Sequence, residues 1–238
     1  MGYVYQHPDF GLGNFINLTP AIAWLHHTQR ERVPVYFSTE YVRQCFLDWK
    51  AIEILDQKPD NDPLFGSNLV NPHNDQPDYK YVFEHITGQD WHPDWHTYVD
   101  NPALTKLEKI AFSNTEPFIV VICGSGSDSP NYFALKDPGE EEYWNMVYEI
   151  SKGLNIYAVG SGADAARSPW LNFMSDECFF GDIRTALKII YASKLVISND
   201  CGLAHAAGAM NKPLTILWKD TPRERCKNAG VNTKYLYL

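Results

Sequence analysis

From residue 117 onward the chain alternates short apolar runs with amphipathic ones. "FIVVICG", "NIYAVG", "KLVIS" and "PLTIL" are brief and rich in β-branched residues, which predicts strands. "FIVVICG" shows no polar alternation, as expected of a strand in a parallel sheet covered on both faces. Between the strands, "EEEYWNMVYEISKG" reads as an amphipathic helix stopped by Gly153, and "DIRTALKIIYAS" as a helix opened by Asp182. "GLAHAAGAM" reads as a slim, alanine-rich helix. Strand and helix therefore alternate over residues 117–217, which predicts a doubly wound parallel sheet.

The first hundred residues carry a looser version of the same pattern. "YVYQH" predicts a strand. A helix follows, with Phe15, Leu18, Ile22 and Leu25 at helical spacing and Asn14 expected as its N-cap. Pro20 falls inside that pattern, so a kink or a late start is expected. "VPVYFST" and "AIEIL" predict strands flanking a short helix in "EYVRQCFLDW". Residues 57–102, rich in Pro, Asn and Asp, read as loops around a strand at "KYVFEHI" and an aromatic stretch, "GQDWHPDWHTYVDNP". "ALTKLEKIAFS" predicts a helix before the boundary, which is expected near residues 113–117. The expected domains are thus residues 1–114 and 115–238, both Rossmann-like α/β units facing a cleft.

Composition narrows the function classes. With 238 residues, each half can bury its own core. The chain is 45% hydrophobic and 21% charged, ordinary for a globular protein, and no apolar run reaches the length of a transmembrane helix. "MGYVYQHPDFG" lacks the basic and apolar regions of a signal peptide, and Gln6 stands where a myristoylation start needs Ser or Thr. The net charge of −9 argues against a chain that works by gripping nucleic acid through its phosphates. Five scattered cysteines without CxxC spacing read as reduced thiols, which places the protein in the cytoplasm. His92 and His96 are spaced i, i+4, but Pro93 lies between them and no third ligand follows, so no metal is expected.

The candidate chemistry lies where strands end. Ligands of open α/β sheets bind beyond the carboxyl ends of the strands. The glycines at 11–13, 124–126, 160–162 and 202 all fall at such ends. In "NDCGLAHAAGAM", Gly202 opens a helix whose free N–H groups suit a phosphate, and His205 lies one turn inside. The same spacing also fits a plain helix cap beside a core histidine, but its place straight after a buried strand favours a ligand. In "GLGNF", Gly11 and Gly13 serve either a tight turn or a close backbone approach to a ligand. Trp91, Trp95 and Tyr98 suit loop packing or, on the acceptor side, stacking on a pyranose.

"GLGNFINLTPAI" followed by "VISNDCGLAHAAGAMNKPLTIL" resembles the two motifs of the heptosyltransferases, glycosyltransferase family 9, in the right order and at opposite ends of the chain. Residues 40–112 carry no part of the resemblance. It implies the two-domain GT-B arrangement and a glycosyltransferase that moves a sugar from an ADP-heptose-like donor to an acceptor hydroxyl. Transfer would invert the anomeric centre, with no metal or other cofactor. It also implies a donor diphosphate loop of Asp200, Cys201, Gly202, Leu203 and His205. Ser125 and Ser127 would lie near phosphate, and Lys136 is the counterpart of a phosphate-binding lysine.

Two residues depart from the family pattern. Asn14 stands where the family carries an acidic residue expected to be the general base, and an amide lacks a carboxylate's basicity. Asp9 and His7 are the nearest replacements; otherwise the leaving diphosphate does more of the work, or transfer is lost. Cys201 replaces Ser or Thr, leaving phosphate binding chiefly to backbone amides. Three other functions stay open: a non-catalytic nucleotide-sugar binder, a sugar transferase whose acceptor is a modified nucleobase or nucleic acid, and an epimerase-like enzyme on the same plan.

Overall fold

Every strand pairing in the structure is parallel, and the strands form two separate sheets. The computed structural model describes residues 2–100, 117–122, 140–162, 164, 175–218, 224, 227, 230 and 232–237. Two compact units emerge, one built on Met1–Asp100 and one on Asn101–Thr221 with Gly230–Leu238. The boundary expected at 114/115 and the helix expected at "ALTKLEKIAFS" fall on residues 101–116, outside the described residues.

In the first unit, β1 (Val4–Gln6) leads into α1 (Leu12–Gln29), β2 (Val33–Phe37), α2 (Glu40–Gln44), β3 (Ile52–Leu55), β4 (Phe65–Gly66) and α3 (Asp78–Thr87). The sheet order is β3-β2-β1-β4. The chain steps outward from β1 to β3, then returns to place β4 on the other side of β1. Helix α1 starts at Leu12 and runs unbroken through Pro20, neither late nor capped by Asn14; its N-cap is Gly11. Proline has no N–H to give the Ile16 carbonyl. The Thr19 hydroxyl donates there instead, at 2.6 Å, and accepts the Tyr98 N–H at 2.7 Å. One side chain therefore repairs the helix and ties down the aromatic loop.

The expected strand at "KYVFEHI" is instead α3. That window holds a short apolar run, Tyr81-Val82-Phe83, but over Asp78–Thr87 Tyr79, Val82, Phe83 and Ile86 recur at helical spacing, with Val82 and Phe83 buried. Gly88, at φ 66°, closes the helix by donating its N–H to the Glu84 carbonyl at 2.9 Å. Helical period over the full segment overrides the strand-like look of the short run.

The second unit contains β5 (Phe118–Ile122), α4 (Glu140–Ser151), β6 (Asn155–Gly160), β7 (Glu177–Phe180), α5 (Ile183–Ala192), β8 (Leu195–Ser198), α6 (Gly202–Ala209), β9 (Leu214–Trp218) and β10 (Thr233–Tyr237). Its order is β10-β9-β8-β5-β6-β7, so strand order reverses between β5 and β8. All five residues of β5 and of β9 are buried. β5 joins Tyr143, Val147, Ile156, Ala158, Ile197 and Leu217 in one apolar cluster. Full burial of each such aliphatic side chain is worth roughly 1.5–3 kcal/mol. Tyr143, wholly buried on α4, donates its hydroxyl to the Ile122 carbonyl at 2.5 Å. Its oxygen also lies 3.4 Å from the Ile197 carbonyl, so one phenol spans the two strands at the reversal.

The cap expected at Asp182 is present: its carboxylate accepts the Thr185 N–H at 2.9 Å. Burial is the largest single influence and pushes this carboxyl up, but hydrogen bonds from the Thr185 amide and hydroxyl, with those from the Asp182 and Arg184 amides, together outweigh it and hold the carboxyl below its ordinary range. A depressed folded value means stability that is present above the unfolded pKa and lost as pH falls through the folded one. Asp182→Ala is expected to cost about 1 kcal/mol in urea unfolding at neutral pH. The difference from wild type should shrink once pH falls below about 4. A penalty that stays constant down to strong acid would contradict this.

Candidate functional site

A sheet whose strand order reverses opens a crevice at the carboxyl edge of the two strands flanking the reversal, because the chain leaves them in opposite directions. Each unit has one such point. In the second unit, β8 delivers Asn199, Asp200 and Cys201 there, and α6 begins at Gly202. Asn199 and Asp200 are buried, and the Asn199 N–H reaches the Ile122 carbonyl at 3.4 Å across the reversal. Cys201 is the N-cap in extended backbone, and the His205 N–H closes the first turn on the Cys201 carbonyl at 3.2 Å. The helix therefore presents its amide end, with partial positive charge, to the crevice.

His205 lies one turn inside, 9% exposed, with Nε2 3.6 Å from Asp200 Oδ1. That spacing is longer than a hydrogen bond and suits a pair that shares an incoming ligand. Asp200, Cys201, Gly202, Leu203 and His205 thus gather on one turn. Ser125, Ser127 and Lys136 fall outside the described residues, as do the glycines at 124–126.

Cys201 is buried. Burial pushes its thiol up from the ordinary range, against smaller opposing effects from the Ser198 hydroxyl and the Ala204 N–H, and Asp200 and Asp164 raise it further. Ser198 Oγ donates to the Asn199 carbonyl at 2.7 Å and sits 3.4 Å from the sulfur. With Ala204 turned to the sulfur, the Gly202 and Leu203 amides are the donors left for a ligand.

Asp164 is a residue that sequence reasoning missed. Its Oδ2 takes the Ser161 N–H and hydroxyl, both at 2.7 Å. The side chain is buried, yet Oδ1 has no partner among the described residues. Gly160, the last residue of β6, is small for this reason: a Cβ there would lie 3.0 Å from Asp164 Oδ2 and 3.1 Å from its Cβ. The sequence holds only a weak signal for it, an acidic residue just past the Gly-Ser-Gly at a strand end.

In the first unit the reversal lies between β1 and β4. The His7 N–H donates to Ser67 Oγ at 2.8 Å, joining the two strand ends. His7 Nδ1 lies 3.2 Å from the Asp9 N–H and 3.6 Å from Asp9 Oδ2. Asp9 is largely exposed. Gly11, Gly13 and Asn14 follow as the cap and first turn of α1, where Asn14 is the third helical residue. Tyr41 completes the turn, again unpredicted from sequence. Its phenol, carried on α2, lies over the turn, so that a Cβ on Gly11 would come within 3.2 Å of the phenol oxygen, and burial is the main force holding the phenol's pKa above the ordinary value.

The aromatic loop packs against its own unit. Trp95 lies against Phe83 and His27, Trp91 against Tyr79, and Tyr98 against Trp49. His92 and His96 lie outside any helix, and His92 pairs with Asp94 at 3.2 Å. No described helix is long and apolar enough to cross a membrane.

Native-state labelling with a thiol reagent tests the burial of Cys201. Peptide mapping is expected to find Cys178, which is exposed, modified well before Cys45 and Cys201, which are buried. Cys201 reacting as fast as Cys178 would contradict the site as described.

Comparison with known proteins bears on both units. Residues 181–237 match the model of glycosyltransferase family 9 (heptosyltransferase), a span that contains the whole β8–α6 turn. No curated protein sequence matches the chain. Among solved structures, ADP-heptose lipopolysaccharide heptosyltransferase II of E. coli superposes with a TM-score of 0.69 at 13% identity, over 99% of this chain and 90% of that one. The E. coli heptosyltransferase WaaC with ADP gives 0.66 at 12%, over 100% and 93%. The family 9 glycosyltransferase of Veillonella parvula gives 0.68 at 14%, over 99% and 86%. Over residues 181–237 the chain is similar to glycosyltransferase family 9, and its fold is that of the heptosyltransferases, with a widely diverged sequence.

Proposed function

We propose that this protein is a glycosyltransferase that moves a sugar from a nucleotide-diphosphate donor to an acceptor hydroxyl. The observation that carries the reading is the α6 N-terminus, opened by Gly202 at the β5/β8 reversal, with His205 and Asp200 beside it. An ADP-sugar is the preferred donor, in keeping with the neighbour solved with ADP. The Gly202 and Leu203 amides and His205 take the diphosphate. The unpartnered Asp164 Oδ1 accepts a hydrogen bond from a donor hydroxyl.

The acceptor belongs with the first unit. Its oxygen attacks the anomeric carbon from the face opposite the diphosphate, so configuration inverts. The carbon–oxygen bond to the diphosphate breaks as the new one forms. The departing diphosphate carries away the bonding pair, and the helix end and His205 stabilise its charge as it develops. The acceptor's proton goes to a carboxylate. Asp9 is the one carboxylate among the three candidates Asn14, Asp9 and His7, and it takes that role. Neither step calls on a metal. Asn14 supports a second reading, a protein that binds the donor without transferring from it.

A thermal-shift screen with ADP-, UDP-, GDP- and CMP-sugars tests the donor, since a ligand of the native state raises Tm. His205→Ala should weaken the best donor by about 10- to 100-fold, the worth of a charge-assisted hydrogen bond. Asp9→Asn should leave donor binding intact and lower transfer by about 10²- to 10⁴-fold, as expected on loss of a general base. Near-normal donor binding and turnover in His205→Ala would sink the assignment. Donor binding with no transfer to any acceptor of a broad panel would favour the second reading.

A further inference from the structure

Gln6, at the end of β1, is wholly buried and uses every polar atom it has. Its Nε2 donates to the His7 carbonyl at 2.6 Å and to the Phe10 carbonyl at 2.9 Å. Its Oε1 accepts the Thr39 N–H at 2.9 Å and the Ser38 hydroxyl at 3.1 Å. Its backbone carbonyl accepts the Ser38 hydroxyl at 2.6 Å. One side chain thus staples the His7–Phe10 turn to the loop after β2.

The staple decides the chemistry of His7. Its ring is flanked edge-on by Tyr5, with centroids 5.6 Å apart, and by Phe10 at 5.5 Å. The ring nitrogen Nδ1 is closer to the Asp9 N–H than to the Asp9 carboxylate, 3.2 Å against 3.6 Å. A nitrogen that accepts an N–H cannot carry the proton of a neutral imidazole, so the proton sits on Nε2. The ring, one third exposed, then offers an N–H donor. A base would need the opposite tautomer, with Nδ1–H pointed at a backbone N–H that repels it.

We propose that Gln6 is a positioning residue: by fixing the His7–Phe10 turn it holds His7 as the Nε2–H tautomer, so that His7 hydrogen-bonds a ligand oxygen as a donor and leaves proton removal to Asp9. This rests on the reading of the first unit as the acceptor side. Replacing Gln6 by Leu removes the staple at similar size. Replacing it by Glu sets a carboxylate against two carbonyls. Ser38→Ala loosens the same staple from the other loop and leaves the turn's own residues intact.

The test is long-range ¹H–¹⁵N correlation of the histidine rings, with the ring of His7 neutral. In wild type the Nε2–H form of His7 should exceed the other by roughly tenfold, about what one ordinary hydrogen bond provides. Gln6→Leu and, more mildly, Ser38→Ala should bring the two forms toward equality, while the His205 ring signals and the ADP-induced rise in Tm stay as in wild type. If Gln6→Leu does not fold, Ser38→Ala carries the comparison. A His7 protonated on Nδ1 in wild type, or a tautomer ratio that neither variant changes, would overturn the proposal. Absence of any ADP-induced rise in wild type would instead count against the donor assignment and leave the tautomer result standing.

Discussion

The second unit depends on how β5 and β8 are held side by side. They are neighbours in the sheet but distant in the chain, and from them the chain winds in opposite directions. Among the described residues, the β5–β8 pairing and the packing around it hold that junction together. Tyr143 reinforces it with a buried phenol placed over the Ile122 and Ile197 carbonyls at their carboxyl ends. Backbone carbonyls near the end of a strand pair lack full ladder partners, and burying them unpaired is costly. The Tyr143 hydroxyl of α4 reaches both from within the core. The amide end of α6 is presented at that edge, so a core hydrogen bond sets the precision of the polar crevice next to it.

The first unit solves the same topological problem with polar side chains. Its reversal, between β1 and β4, is joined by Ser67 and His7, and its loops are stapled by Gln6. A long helix then leaves the turn with Gly11 as cap, and the Tyr41 phenol on α2 lies close over that glycine. Both edges have rigid turns made from satisfied backbone groups, and on each a few groups remain available: two amides and His205 on one, His7 and Asp9 on the other. Asn14 lies inside the first turn of that helix, and the exposed Asp9 is the carboxylate that the proposed reaction would use.

The parts legible in the sequence were those with strong local determinants. β5, β8 and β9 are apolar runs too short for helices, Asp182 is an acidic cap before an amphipathic run, and Gly202 follows a buried strand. The parts that were not legible depend on distant partners. β4, with two residues, and the edge strands β7 and β10 carry little pattern, because half of each faces no second strand. α3 is hidden because the short apolar run Tyr81-Val82-Phe83, with its aromatic and β-branched residues, imitates a strand. The start of α1 is hard to read because its N-cap is Gly11, which offers no capping side chain, and because the effect of Pro20 is offset by the Thr19 hydroxyl on the Ile16 carbonyl. Asp164 and Gln6 follow the same rule: an acidic or amide residue near a strand end says little until its neighbours are known. The C-terminal motif was readable because a helix N-terminus, a glycine and a histidine one turn apart are all local.

The central claim is that the amide end of α6 is the cradle for a nucleotide diphosphate. Backbone ¹H–¹⁵N spectra of the uniformly labelled protein, titrated with ADP, address it most directly. The account predicts that the largest shifts fall on Gly202 and Leu203, with smaller ones on Asp200, His205, Ser161 and Asp164. Saturable shifts elsewhere that leave residues 200–205 unmoved would contradict it.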